Sequence, residues 1–211
     1  MVLRSLTRRK TRTLLTLFGI AIGVAAIVSL GALAQGLLEG YTALGTGSGA
    51  DLLVAQADAV DLAFSAVDEE VGDVIAGMTG VQAVDRLVYA FASTEGVPYF
   101  IVFGYEPEGF AIRHFRVVEG EPLSRQPVHR GGRPLLLGRT AADDLEKSVG
   151  DTLQLYETTF RIVGIYETGT PFEDAAAVVR VEDAQALIGR PRQISAFLLK
   201  LCLLYTSDAA D

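Results

Sequence analysis

The sequence predicts an α+β protein: one N-terminal transmembrane helix followed by a two-subdomain mixed α+β extracytoplasmic domain. Three observations carry that expectation. Residues 14–34, LLTLFGIAIGVAAIVSLGALA, run for 21 positions without a charge. A cluster of basic residues stands immediately before them, and a long acidic segment of strand-like runs broken by short helical patterns stands after them.

At about 1.5 Å per residue, a helix over the apolar stretch covers roughly 30 Å, the thickness of a bilayer's hydrocarbon core. Arg4, Arg8, Arg9, Lys10 and Arg12 precede it with no acid among them. Positive charge is retained on the cytoplasmic side, so the N-terminus is expected inside and everything after Ala34 outside. A cleaved secretory signal competes with this anchor, because Ala32-Leu33-Ala34 before Gln35 has the small-x-small form of a cleavage site. Signal peptides, however, carry apolar regions of about 7–15 residues, and Gln35 to Tyr41 keeps apolar residues at helical spacing, as an outward stalk would. Within the span, Gly19-x-x-x-Gly23 with Ala26 one turn on forms a strip of small residues against which a second helix can approach closely.

Net charge is −8, and the first twelve residues contribute +5, leaving −13 on the remainder. Nucleic-acid binding requires a basic face, so that class is set aside. The lone Cys202 excludes an internal disulfide, and no cysteine stands near the helix to carry a lipid.

Along the chain, Thr42–Gly49 (TALGTGSG) is expected to be a flexible link. Its glycines lack the Lys-Ser/Thr and the preceding strand of a phosphate-binding loop. Asp51–Gln56 is expected as a strand. Ser65 is expected to cap a helix that turns Val67, Val71, Val74 or Ile75, and Met78 inward, exposes Asp68, Glu69, Glu70 and Asp73 to solvent, and stops at Gly80. Strands over about 83–91 and 98–103 complete a strand-helix-strand-strand unit. From Gly104 the pattern turns mostly β, with strands at 115–118 and 133–138. A helix at 141–147 follows, with Ala142 and Leu145 inward, then a hairpin of 152–156 with 160–166. A strand at 177–181, a helix at 183–188 stopped by Gly189, and a final strand at 193–201 close the domain. The first subdomain is expected over about 51–104 plus 184–201, with 105–183 inserted as the second.

Catalytic chemistry finds no purchase. His114 and His129 are the only near-neutral bases, and neither has metal-ligand spacing to another histidine or to the cysteine. His114, between Arg113 and Phe115, is expected at the surface or in packing. Neither a Gly-x-Ser-x-Gly elbow nor a Walker-type loop occurs, so no catalytic, cofactor-binding or metal-binding residue is assigned.

The opening LRSLTRRKTRTLLTLFGIAIGVAAIVSL, the run LLLGRTAADDLEKSVGDTLQL with FRIVGIYETG, and the closing QISAFLLKL together resemble the N-terminal half of a bacterial ABC-transporter permease of the MacB type. That superfamily includes the lipoprotein-releasing permeases and FtsX. The resemblance covers about residues 2–201. It implies a MacB-like periplasmic core domain of two subdomains after the first membrane helix, with three further membrane helices to follow. It also implies a separate cytoplasmic ABC ATPase, a second identical or different permease, and a bacterial plasma-membrane location. Substrates across the family range over lipoproteins, peptides and antibiotics. The sequence departs from the pattern after Leu201, where CLLYTSDAAD matches nothing in the family and reads as an artefactual tail on a fragment.

The topology is open to direct test. With Cys202 replaced and Ser65→Cys introduced, a membrane-impermeant thiol reagent is expected to label intact spheroplasts. Labelling only after lysis would reverse the orientation, and release of a soluble product beginning near Gln35 would identify a cleaved leader.

Overall fold

The computed structural model describes residues 10–123 and 132–202. Helix α1, Lys10–Gly47, is continuous over 38 residues. Within it, Thr11–Gly36 is long and apolar enough to cross a membrane. The helix passes through Ala32–Gln35 without a break and takes in most of Thr42–Gly49, so the expected flexible link is corrected: helix persists to Gly47, and only the turn at Ser48 and Gly49, with φ of +69° at Gly49, ends it. Arg4, Arg8, Arg9, His129 and residues 203–211 lie outside the described residues.

The chain divides into two compact units, residues 1–41 and 42–211. In the second, β1 (Leu52–Ala55), β2 (Val67–Asp68), α2 (Glu70–Ala76), β3 (Val81–Thr94), β4 (Val97–Tyr105), β5 (Arg116–Gly120), β6 (Arg133–Gly138), α3 (Arg139–Asp144), β7 (Thr152–Leu155), β8 (Thr158–Glu167), α4 (Pro171–Asp174), β9 (Ala177–Arg180), α5 (Val181–Ile188), β10 (Gln193–Ile194) and β11 (Ala196–Leu201) follow in order. Nine of the strands form one mixed sheet, ordered β1-β11-β3-β4-β9-β6-β8-β5 with β7 on β8. β10 pairs β2 separately.

The strand alternation feeds two cores. Along β3, Val88, Ala90 and Ala92 enter one apolar cluster with Val102, Leu135, Leu137, Phe160, Ile162 and Val179. Leu87 and Tyr89 enter the other, with Phe103, Tyr105, Leu136, Tyr166 and Leu198. Successive strand residues point to opposite faces, so strands buried on both faces read as unbroken apolar runs. Such a run is RPLLLG, where Leu135 and Leu137 face one core and Leu136 the other.

The expected helix from Ser65 is corrected. Ser65 is buried and its hydroxyl accepts from the Gln56 amide at 3.0 Å. Val67–Asp68 is strand, and the Asp68 carboxylate accepts from the Glu70 amide at 2.9 Å where the seven-residue helix begins. Val71, Val74 and Met78 are 39%, 65% and 54% exposed, and Ile75 is the one buried residue of α2. The physical reason is Gly72, one turn before Ile75: a Cβ there would stand 2.5 Å from Phe197 Cε1, so the helix approaches the sheet on its glycine face. Two of the expected acids also pair, Glu69 with Arg86 at 3.1 Å and the exposed Glu70 with Arg192, while Asp73 is exposed.

The final strand is interrupted at Ser195. Its amide donates to the Leu87 carbonyl at 2.8 Å, and its hydroxyl accepts from the Tyr89 amide at 2.9 Å. β10 therefore pairs β2 while β11 joins the main sheet. α3 begins at Arg139 rather than Ala141, and Ala141 is buried beside Ala142 while Leu145 is only partly covered.

Two consequences are testable. Because Ser65 is buried, Val60, at 96% exposure, is the better position for the labelling cysteine. At Gly104 a Cβ would stand 2.6 Å from Ala184 Cβ and 3.1 Å from Val88 Cβ, between β4 and α5. Overpacking of this kind costs about 1–3 kcal/mol, so Gly104→Ala is expected to lower the melting temperature of the detergent-solubilised chain by several degrees. Gly77→Ala, where the nearest atom stands at 3.5 Å and φ is −78°, should leave it unchanged.

Candidate functional site

Where α1 ends, the chain enters the folded unit through the buried Ser48. A Cβ on Gly47 would stand 3.6 Å from Cδ2 and 3.9 Å from Nε2 of His114, so a side chain there would reach that ring in ordinary van der Waals contact. His114 closes a 3₁₀ turn, Ala111–His114, whose first amide donates to Asp85 Oδ2 on β3 at 2.7 Å. Gly109 abuts the same carboxylate, and a Cβ there would stand 2.8 Å from Asp85 Cγ.

Both ring nitrogens of His114 are engaged, Nδ1 with the Ala111 carbonyl at 2.5 Å and Nε2 with Glu173 Oε1 at 3.1 Å. Glu173 is 1% exposed and stands on the short helix α4. That helix is held from both sides: Tyr166 donates its hydroxyl to the Glu173 carbonyl at 2.7 Å, and Thr168 donates its amide to Asp174 Oδ1 at 2.7 Å. Around the pair lies an aromatic layer in which Phe115 meets Tyr105 and Tyr166 edge-on at 5.2 and 4.9 Å between centroids. Burial, with Glu173 and Asp85 nearby, pushes the Tyr105 hydroxyl far up, and that hydroxyl has no hydrogen-bond partner among the described residues.

On the other face, a groove of about 560 Å³ is lined by Glu69, Asp73, Arg86, Glu106 and Arg192 over Phe197. Arg86 is held by Glu106 at 2.5 Å and Glu69 at 3.1 Å, so its charge is engaged in an ion-pair network within an acidic groove. Its geometry organises the surface and offers no nucleophile–base arrangement.

Of the residues singled out in the sequence, Gly19 and Gly23 have nothing within 4 Å of where a Cβ would stand, and Ala26 is exposed, so the small-residue strip of α1 is open. Arg12 is exposed in the first helical turns, and Lys10 starts the helix. The His114–Glu173 pair was not legible in advance: the two residues lie 59 positions apart, and an acid in the first turn of a helix ordinarily signals only dipole complementarity.

The description "MacB-like periplasmic core domain" belongs to the family model that matches residues 13–207. The chain is a member of that family. The match extends six residues past Leu201, where the sequence resemblance was expected to end. The macrolide export ATP-binding/permease protein MacB of Rhodospirillum rubrum is 26% identical over 216 residues, 94% of this chain and 33% of its own length. That of Syntrophobacter fumaroxidans is 27% identical over 187 residues, 77% of this chain and 25% of its own. The chain thus spans a third or less of these curated relatives.

Among solved structures, the periplasmic region of MacB from Actinobacillus actinomycetemcomitans superposes with a TM-score of 0.53 at 12% identity, covering 67% of each chain. The extracellular domain of the noncanonic ABC-type transporter YknZ from Gram-positive bacteria gives 0.54 at 14% identity, covering 71% of this chain and 81% of its own. These likenesses establish the fold: the mixed α+β architecture is that of MacB-like periplasmic core domains, here behind one apolar helix.

Asp85 supplies a pH test. Burial raises its carboxyl above the ordinary 3.8, only partly offset by the Ala111 amide. The folded state therefore holds more protons than the unfolded chain just above that pH, so this group's contribution to stability is fully present below 3.8 and falls as pH rises through the window. Asn at position 85 keeps an acceptor for Ala111 and removes the ionisation. The difference in urea midpoint, Asp85→Asn minus wild type, is expected to grow as pH rises above 3.8 and then level off. A constant difference would show that Asp85 does not titrate differently on folding.

Proposed function

We propose that the chain is the front part of an ABC-transporter permease subunit in the bacterial plasma membrane, with its N-terminus cytoplasmic and its core domain outside. The observation that carries this reading is the family match over 13–207, which takes in the apolar helix and the sheet domain together. In this reading the chain does no chemistry. A separate cytoplasmic ABC ATPase hydrolyses ATP, a second permease subunit completes the membrane pair, and closure of the ATPase reaches the outer domain through the membrane helices. The domain's movement then exports or releases a substrate at the outer face.

The continuity of α1 to Gly47 supports mechanical transmission, since a helix carries displacement that a glycine-rich coil would absorb. The division of the domain into two subdomains belongs to the same proposal. β1, β11, β3 and β4 with α2 and α5 make one part, and β9, β6, β8, β7 and β5 with α3 and α4 the other, joined in one sheet where β4 pairs β9.

The test uses the full-length permease with its remaining helices. It is expected to stimulate a partner ATPase, while the 211-residue chain alone neither binds nor turns over ATP. Gly19→Leu with Gly23→Leu is expected to impair that stimulation with the outer domain still folded, because leucines hold apart backbones that small residues let approach. Full coupling in the double variant would remove Gly19, Gly23 and Ala26 from helix packing. Absence of any ATPase in the native complex would instead favour a single-anchor or secreted extracytoplasmic binding module.

A further inference from the structure

We infer that a groove at the free edge of β3 takes the carboxyl-terminal end of an extended apolar peptide, Arg190 receiving its carboxylate and the Phe91 amide a carbonyl of its backbone. The groove holds about 480 Å³, and its walls include Phe64, Phe91, Tyr156, Leu187, Ile188 and Arg190. It opens because β3 outruns its neighbour. β11 pairs β3 only as far as Leu87. Beyond that point the Ser195 hydroxyl accepts from the Tyr89 amide at 2.9 Å and donates to the Tyr89 carbonyl at 3.2 Å. Tyr89 thus turns its backbone groups away from β4, and the antiparallel alternation turns those of Phe91 the same way. The Phe91 carbonyl accepts the Tyr156 hydroxyl at 3.0 Å, which leaves the Phe91 amide facing the groove.

Tyr156 makes one wall rigid. Its amide donates to the Ser93 carbonyl at 2.9 Å and its hydroxyl to Phe91, while its φ of +51° lies in the left-handed region that residues with side chains seldom occupy. The ring is pinned at backbone and hydroxyl yet 49% exposed, so this wall is set before any ligand arrives. Phe64 is 65% exposed at the end of the 3₁₀ turn Leu62–Phe64, and Leu187 and Ile188 of α5 leave the core half-covered. Arg190 is the one charged residue lining the groove, is half-buried, and has no ion-pair partner among the described residues, in a chain that carries −13 beyond residue 12. An apolar trough with an uncommitted guanidinium and a strand-edge amide complements an extended chain that is apolar and ends in a carboxylate. A fatty acid shares the apolar chain and the carboxylate but brings no peptide carbonyl to the Phe91 amide. A cation just past a helix C-terminus also complements the helix dipole. Lysine serves that purpose as well as arginine, whereas a two-pronged grip on a carboxylate needs the planar guanidinium, so the two roles part in Arg190→Lys.

The probe is acetyl-Val-Leu-Val with a free carboxylate, titrated by calorimetry into the full chain in lipid nanodiscs against empty nanodiscs. Its carboxyl-terminal amide and hexanoate are titrated in parallel, and deuterium exchange at amides 90–93 is followed in the same samples. The amide and hexanoate are each expected to bind about tenfold more weakly than the acid, the scale of one charge-assisted hydrogen bond. The acid should slow exchange at Phe91, and hexanoate should not. Arg190→Lys is expected to lose about tenfold in affinity at an unchanged melting temperature. Phe64→Ser, at an exposed position, should weaken acid and amide alike and keep the preference between them. Failure of the acid to bind, equal affinity for acid and amide, hexanoate matching the tripeptide, full affinity in Arg190→Lys, or unchanged exchange at Phe91 under saturation each overturns the assignment. No ATPase enters these measurements, so their failure leaves the permease reading standing, and loss of ATPase coupling in the full-length permease leaves the groove standing.

Discussion

The parallel pairing of Val102–Tyr105 with Ala177–Arg180 is the join on which the sheet unit depends. On one side of it the sheet is antiparallel throughout, β1, β11, β3 and β4. On the other, β9 runs antiparallel to β6, which is parallel to β8. Residues on both strands of the join are fully covered, including Val102, Phe103 and Tyr105 of β4 and Ala177, Val178 and Val179 of β9. A parallel pair needs a crossover and both faces buried, and described residues between Tyr105 and Ala177 supply the cover: Phe115 and Tyr166 on one side, Leu135, Leu137 and Ile162 on the other. α5 then closes over Gly104, whose lack of a side chain lets the helix sit directly on the strand.

Much of this was legible because burial on one or two faces leaves a direct trace in residue order. RPLLLG, FRIVGIY and AVVR read as strands, and Gly189, with φ of +65°, ends α5 where a C-terminal glycine was expected. The missed features share a cause: they rest on partners distant in sequence. Gly72 carries no apolar signal, yet its missing side chain decides which face of α2 meets Phe197. Ser195 looks like one polar residue in an apolar strand, and its hydroxyl bonds to Tyr89, 106 positions away, divide that strand in two. At the site the same limit applied. His114 was expected in a packed or surface position, and its ring is packed and 12% exposed, but nothing local could announce Glu173 as its partner.

The expected flexible link over Thr42–Gly49 gave way to helix for a different reason. Three alternating glycines in eight residues lower helix propensity by about 1 kcal/mol each relative to alanine, which favours coil in isolation. A helix already running from Lys10 to Tyr41 has met its nucleation cost, so further residues add a hydrogen bond apiece. The consequence is mechanical. Eight residues of glycine-rich coil have a root-mean-square span of about 15 Å with comparable slack. The same length of helix holds a fixed rise of about 12 Å. The helix ends at the two-residue turn Ser48–Gly49, where φ of +69° falls on a residue without a side chain.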